Sequence, residues 1–189
     1  MKIVFIRHGK TLGNLDKKYI GSTDEPLCEE GIAELSAVNY PTAARVVTSP
    51  MLRCMQTAEL IYPTQKHIVY DDLRECDFGD FEGKNYSELC DNPAYQKWLD
   101  SGGKIAFPNG EARKTFSERS CNAFEKAVRD NANCGSMAFV VHGGTIMSVL
   151  EKYAVPKRDF YDYQVKNGGG YIAECDEKTL TIKIISEIK

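Results

Sequence analysis

A three-layer α/β/α sandwich around a mostly parallel central sheet is the fold class this sequence predicts. Strand-like and helix-like stretches alternate along the chain, as parallel sheets require. Two strand-like runs, KIVFI at 2–6 and MAFVV at 137–141, are apolar without alternation, so both faces of each are buried. Each of these runs stops abruptly at a histidine and a glycine, the composition of a loop at a strand's carboxyl end.

The elements follow in order. The first strand ends at Arg7 and His8, and Gly9 and Gly13 mark the loop beyond it. A helix is predicted over about residues 29–38, and RVVTS at 45–49 is the second strand. SPMLRCMQTAELIY reads as a helix with Ser49 at its N-cap and Pro50 at its first position. HIVY at 67–70 is a third strand. Residues 113–130 place Phe116, Ala123, Phe124, Ala127 and Val128 on one helical face. The run at 137–141 leads through His142 and Gly143 into a helix carrying Ile146, Val149, Leu150 and Tyr153. The end of the chain reads as a hairpin with period-two alternation at Leu180, Ile182 and Ile184. One stretch, 77–112, breaks the rhythm with glycine, asparagine and aromatics and only short helical pieces near Ser87 and 93–99. It is expected to form a cap over a site, or a surface subdomain packing its own aromatics.

At 189 residues the chain fits one domain, with 42% hydrophobic and 27% charged residues as in ordinary globular proteins. A net charge of −3 makes no electrostatic case for nucleic acid. The absence of a signal-like leader or a bilayer-length apolar run predicts a cytoplasmic protein without membrane partners. The seven cysteines are scattered and form no Cys-x-x-Cys pair, which reads as reduced thiols. Cys54, beside Arg53, is either a thiol of lowered pKa or a small core residue.

His8 and His142 occupy matched strand ends, so neighbouring strands would point both imidazoles into one crevice. His67, opening a modest strand, reads as structural. Two histidines and a carboxylate also suit a metal, but Arg7 and Arg53 would repel a dication and welcome a phosphoryl group. No metal is therefore expected. A neutral imidazole at His8 is a nucleophile for phosphoryl transfer, kept unprotonated by the two arginines and fixed as one tautomer by a backbone carbonyl. The acid for the leaving oxygen is sought in LRECDFGDFEG, where Glu75 lies nearest the strand end and Glu82 is a second candidate.

IRHGKTLGN, TSPMLRCMQTAE, LRECDFGDFEG and VVHGGTIMSVL resemble, in order, the four motifs of the histidine phosphatase superfamily, which includes cofactor-dependent phosphoglycerate mutase. The resemblance implies a phosphoglycerate mutase-like fold and a metal-independent phosphomonoesterase with no cofactor. It implies His8 as the phosphorylated nucleophile, Glu75 as the acid that later activates water, and Arg7, Asn14, Arg53, His142 and Gly143 as phosphoryl ligands. YIGSTDEPLCEEGIAE, DFGDFEG, Trp98 and PNGE look like the short phosphatases, α-ribazole phosphatase especially. Cys28 stands where threonine is usual, Lys10 where Glu or Gln is common, and Ala112 where a serine follows GE in many relatives. Lys10 at the pocket mouth would pair a second anionic group of the substrate, or stand solvated. The implied substrate is a small phosphate ester such as α-ribazole phosphate. The alternatives are a mutase primed by bisphosphoglycerate and a non-catalytic phosphate-binding module. The C-terminal strands are either covered edges or the surface of a homodimer.

Overall fold

The computed structural model describes residues 1–189. Its strands are β1 (Lys2–Arg7), β2 (Arg45–Thr48), β3 (His67–Val69), β4 (Ser136–Val141), β5 (Gly170–Cys175) and β6 (Ile182–Ile188). They form one six-stranded sheet in the order β3-β2-β4-β1-β5-β6. The pairs β2–β3, β2–β4 and β1–β4 are parallel, whereas β5 runs antiparallel to β1 and β6 to β5. The helices are α1 (Leu12–Leu15), α2 (Glu29–Ser36), α3 (Leu52–Ile61), α4 (Tyr86–Leu89), α5 (Pro93–Asp100), α6 (Arg113–Asp130) and α7 (Gly143–Tyr153). None is long and apolar enough to cross a membrane.

The unbroken apolar runs of β1 and β4 have a simple cause. Ile3 and Phe5 face one side of the sheet, packing with Met137 and Phe139 against Phe124 and Val128 of α6 and Val149 of α7. Val4 and Ile6 face the other, packing with Ala138 and Val140 against Ala58 of α3. Two helical layers thus cover the two faces. Arg7 pairs with Val141 in register, so the residues that follow, His8 and His142, leave adjacent parallel strands side by side.

Two local expectations need correction. The helix after β2 begins at Leu52, with Met51 rather than Ser49 at its N-cap. Ser49 is spent elsewhere: its Oγ accepts from the Met51 N–H and contacts His142. Asp24, from a distant loop, takes the Leu52 N–H instead at 2.6 Å. At the C-terminus, Leu180 lies outside the strand at a φ of 59°. The alternation itself holds, with Leu180 and Ile182 buried in one core cluster and Ile184 packed against it; the register shift at Ile172/Ala173 falls beyond Ile184.

The stretch 77–112 carries α4 and α5 and packs Phe81, Leu89, Tyr95 and Phe107 with Cys76 and Phe116 into a separate apolar cluster. Its rings meet mostly edge to face, as their quadrupoles favour. The same stretch supplies Phe78, Trp98 and Phe107 to the wall of a cavity over the carboxyl ends of β1 and β4.

Candidate active site

The cavity has a volume of about 390 Å³, and Arg7, His8, Asn14, Glu75 and Gly143 all line it. His8 is 4% exposed and its ring centroid lies 5.2 Å from that of His142. His8 Nδ1 is 2.7 Å from the Gly9 carbonyl. A carbonyl only accepts, so Nδ1 carries the proton and Nε2 keeps the lone pair. Burial first, then Arg53 and Arg7, hold the His8 pKa well below its usual value. The imidazole is neutral at physiological pH.

His142 is fully buried, and its pKa is also driven well down by burial and then by Arg53. Ser49 Oγ stands 2.8 Å from His142 Nε2 while accepting from the Met51 N–H. When the hydroxyl donates to Nε2, the ring proton sits on Nδ1, which faces Glu75 Oε2 at 4.0 Å. Glu75 Oε1 accepts from the Cys76 N–H at 2.9 Å. Burial raises the Glu75 pKa against the pull of the Cys76 N–H, Arg53 and Arg7. A buried carboxyl beside two neutral imidazoles is a proton donor in waiting.

Positive charge is delivered by two guanidiniums. Arg7 donates through Nη1 to the Val165 carbonyl, and Arg53 donates through both terminal nitrogens to the Thr23 and Gly21 carbonyls. In each, Nε is buried without a partner. Such orphaned donors are costly unless an acceptor visits them. Asn14 Oδ1 accepts from the Thr11 N–H and from Asn167 Nδ2, so the Asn14 side chain has only its NH₂ to offer the cavity. Gly143 opens α7, an 11-residue helix whose first N–H groups have no intrahelical acceptor. A Cβ at Gly143 would stand 3.4 Å from Arg7 Nε, and one at Gly144 only 2.8 Å from Glu75 Oε1. Glycine is needed at 144. Arg7, Asn14 and Gly143 thus share one cavity with a bare imidazole nitrogen, a set of groups suited to an oxyanion.

A family model described as the histidine phosphatase superfamily, branch 1, matches residues 3–187. The chain belongs to that superfamily. It is 24% identical over 196 residues to the adenosylcobalamin/alpha-ribazole phosphatase of Salmonella typhimurium, covering 98% of this chain and 96% of that protein. It is 30% identical to the 2,3-bisphosphoglycerate-dependent phosphoglycerate mutase 2 of Gloeobacter violaceus, over 78% of this chain and 73% of that one. The crystal structure of the alpha-ribazole phosphatase from Shigella flexneri superposes with a TM-score of 0.87 at 21% identity, covering 100% of this chain and 96% of that one, a likeness of fold. Family and relatives indicate a phosphatase enzyme.

Within this histidine phosphatase fold the structure rearranges several expectations. Arg53 and His142 are fully buried at the base of the site, the His142 ring 5.2 Å from that of His8 and the Arg53 Nε without a partner. Glu82 is not at the site: its Oε1 accepts from the Gly21 and Thr23 N–H groups, bracing the loop whose carbonyls hold Arg53. Lys10 turns away from the cavity to pair with Glu30 and Glu34 of α2, each at 2.6 Å. Burial pushes the Cys54 thiol up to about 12, so it is a core residue.

Three functional neighbours escaped the sequence reading. Ser49 orients His142. Asn167 bonds the His8 carbonyl as well as Asn14, from a loop marked only by the run Gly168–Gly169–Gly170. Arg119 grips both Glu111 oxygens and donates to the backbone carbonyls of Asp72, Arg74 and Glu75, which fixes the segment carrying Glu75. Nothing in the periodicity of α6 distinguishes Arg119 from a solvated arginine.

Proposed function

We propose that this chain is a metal-independent phosphomonoester hydrolase that works through a phosphohistidine at His8. The observation that carries the reading is the 2.7 Å contact between His8 Nδ1 and the Gly9 carbonyl, which leaves Nε2 unprotonated inside a nest of donors. In the first step His8 Nε2 attacks phosphorus while the ester P–O bond breaks, and Glu75 gives its proton to the departing alkoxide. In the second step Glu75, now a carboxylate, takes a proton from water as the water oxygen attacks phosphorus. The N–P bond breaks, and inorganic phosphate and neutral His8 are restored. Arg7 Nε, Arg53 Nε, the Asn14 NH₂, His142 Nδ1–H and the Gly143 N–H are the donors for the equatorial oxygens. Two guanidiniums at this point supply the charge that a dication supplies elsewhere.

The substrate in this reading is a small phosphorylated metabolite. The name and near-complete coverage of the Salmonella relative support α-ribazole phosphate as the first natural ester to screen. The test is phosphate release from p-nitrophenyl phosphate with excess EDTA, by wild type and His8→Ala. EDTA-resistant release that disappears in His8→Ala is expected. Full activity in His8→Ala overturns the mechanism. No hydrolysis, together with isomerisation of phosphoglycerate after priming by bisphosphoglycerate, would make the chain a mutase.

A further inference from the structure

His8 and His142 leave the ends of paired strands, so the sheet itself holds them. Glu75 has no such support. It lies between the one-turn helices Asp71–Leu73 and Gly79–Phe81, in a stretch with neither helix nor strand. A proton donor must stay within hydrogen-bond reach of the oxygen it serves, so a group outside this stretch has to fix its backbone.

Arg119 of α6 is that group. Its Nη1 donates to the carbonyls of Asp72 at 2.9 Å and Arg74 at 2.7 Å, and its Nη2 donates to that of Glu75 at 2.8 Å. Nε and Nη2 also form a bidentate pair with Glu111, at 2.9 and 2.7 Å. All five guanidinium donors are thus engaged. The two side chains are only 12% and 14% exposed, so the pair is shielded from water. Glu111 in turn ties the far side of the stretch, its N–H donating to the Asp77 carbonyl at 2.9 Å. The guanidinium lies 4.9 Å over the Phe116 ring. That ring and Glu75 Oε1 close on one point, since a Cβ at Gly144 would stand 2.8 Å from each.

The rest of the stretch gives no reason for such a hold. Asp72, Arg74 and Asp77 are exposed, and burial pushes the Cys76 thiol up and keeps it protonated. Resting on the phosphatase reading, we propose that Arg119 is a positioning residue for proton transfer from Glu75, with Glu111 as its anchor. Arg119 touches no reacting atom; it holds the donor's peptide so that the carboxyl meets the departing oxygen. Lysine cannot replace it, because one ammonium does not span three carbonyls and a carboxylate.

Two esters that differ in their need for a proton test this: butyl phosphate, whose alkoxide is strongly basic, and p-nitrophenyl phosphate, whose phenolate departs unprotonated. The readout is kcat/KM, which reports the breaking of the ester bond. Arg119→Met is expected to cost about 10²-fold with butyl phosphate, within the worth of general acid catalysis, against no more than about tenfold with p-nitrophenyl phosphate. Arg119→Lys should not restore the butyl phosphate reaction. In a Glu75→Gln background, Arg119→Met should bring no further loss with butyl phosphate, since the donor it serves is gone. If Arg119→Met does not fold, Glu111→Gln, which keeps the side chain's shape and one acceptor, should show the same asymmetry on a smaller scale. Equal losses on the two esters, or losses that multiply with those of Glu75→Gln, overturn the positioning role and leave the phosphatase reading standing. If wild type hydrolyses neither ester, the phosphatase reading falls and this role falls with it.

Discussion

Ser49 Oγ lies 2.8 Å from His142 Nε2, so the hydroxyl and a fully buried imidazole share one proton position and are set together. A hydroxyl that donates to Nε2 puts the ring proton on Nδ1, the nitrogen that faces Glu75 Oε2. Ser49→Ala removes that bias without touching the cavity. A fall in kcat of about three- to tenfold is expected, the worth of one neutral hydrogen bond. Ser49→Thr, which keeps the hydroxyl, should restore most of it. Steady-state kinetics on both variants check this, and equal losses in the two would reduce Ser49 to a packing residue.

The paired shifts of His8 and Glu75 set a pH profile. His8 must be neutral to attack, and its pKa is lowered, so kcat/KM rises with pH only through a value well below 6.5. Glu75 must be protonated to serve as acid, and its pKa is raised from 4.5, so activity falls as pH passes that raised value. The outcome is a bell whose acid limb lies well below pH 6.5 and whose alkaline limb lies above pH 4.5. Glu75→Gln should erase the alkaline limb and slow turnover by about 10²–10⁴-fold, the usual worth of general acid catalysis. An alkaline limb that survives in Glu75→Gln would assign the acid to another group.

The same shifts link pH to stability. His8 and His142 titrate below their unfolded value when folded, so below about pH 6.5 the unfolded chain binds protons that the folded chain refuses. Their contribution falls as pH drops from that value toward the lowered ones. Glu75 acts in the opposite sense, its contribution being lost as pH rises through its raised pKa. Two histidines against one carboxyl leave a net slope, so Tm should rise between about pH 5 and pH 7. The His8→Ala/His142→Ala double variant should flatten that rise, which calorimetry across the range will show.

Glu82 holds a guanidinium it never touches. Its carboxylate fixes the Gly21 and Thr23 N–H groups, and the carbonyls of the same loop hold Arg53. Glu82→Ala is expected to cost about 1–3 kcal/mol of stability, as for backbone donors left unsatisfied. It should also raise the inhibition constant of inorganic phosphate, since Arg53 loses its brace. A fall in Tm with unchanged phosphate affinity would confine Glu82 to the fold.

The sequence carried the sheet well because burial writes itself into composition. β1 and β4 are the central strands, packed on both faces, and their unbroken apolar runs leave no other reading. The candidate site residues at the ends of β1 and β4 were legible for the same reason, since each follows directly on such a run. What was hidden is long-range. That Ser49 serves His142 rather than its own helix depends on β2 lying beside β4. That Glu82 braces a loop, and Lys10 pairs with α2, depends on contacts across 20 residues or more that no local period records. Charged groups in loops have many possible partners, and only the packed chain selects one.

Asn167 draws three parts of the site together from outside every motif. Its NH₂ donates to Asn14 Oδ1 at 3.0 Å and to the His8 carbonyl at 3.1 Å, and reaches the Gly9 carbonyl at 3.4 Å. The first bond turns the Asn14 amide so that its own NH₂ meets the cavity; the others hold the backbone that fixes the His8 tautomer. Asn167→Asp replaces this donor with a carboxylate facing three oxygens, a repulsion that displaces Asn14 and the Gly9 carbonyl together. A loss in kcat/KM of about 10²-fold is expected, comparable to removal of one transition-state donor. Asn14→Ala should cost a similar factor, and the Asn14→Ala/Asn167→Asp pair should cost much less than the product of the two. Fully multiplicative losses in that double-mutant cycle would show that Asn167 acts on His8 alone.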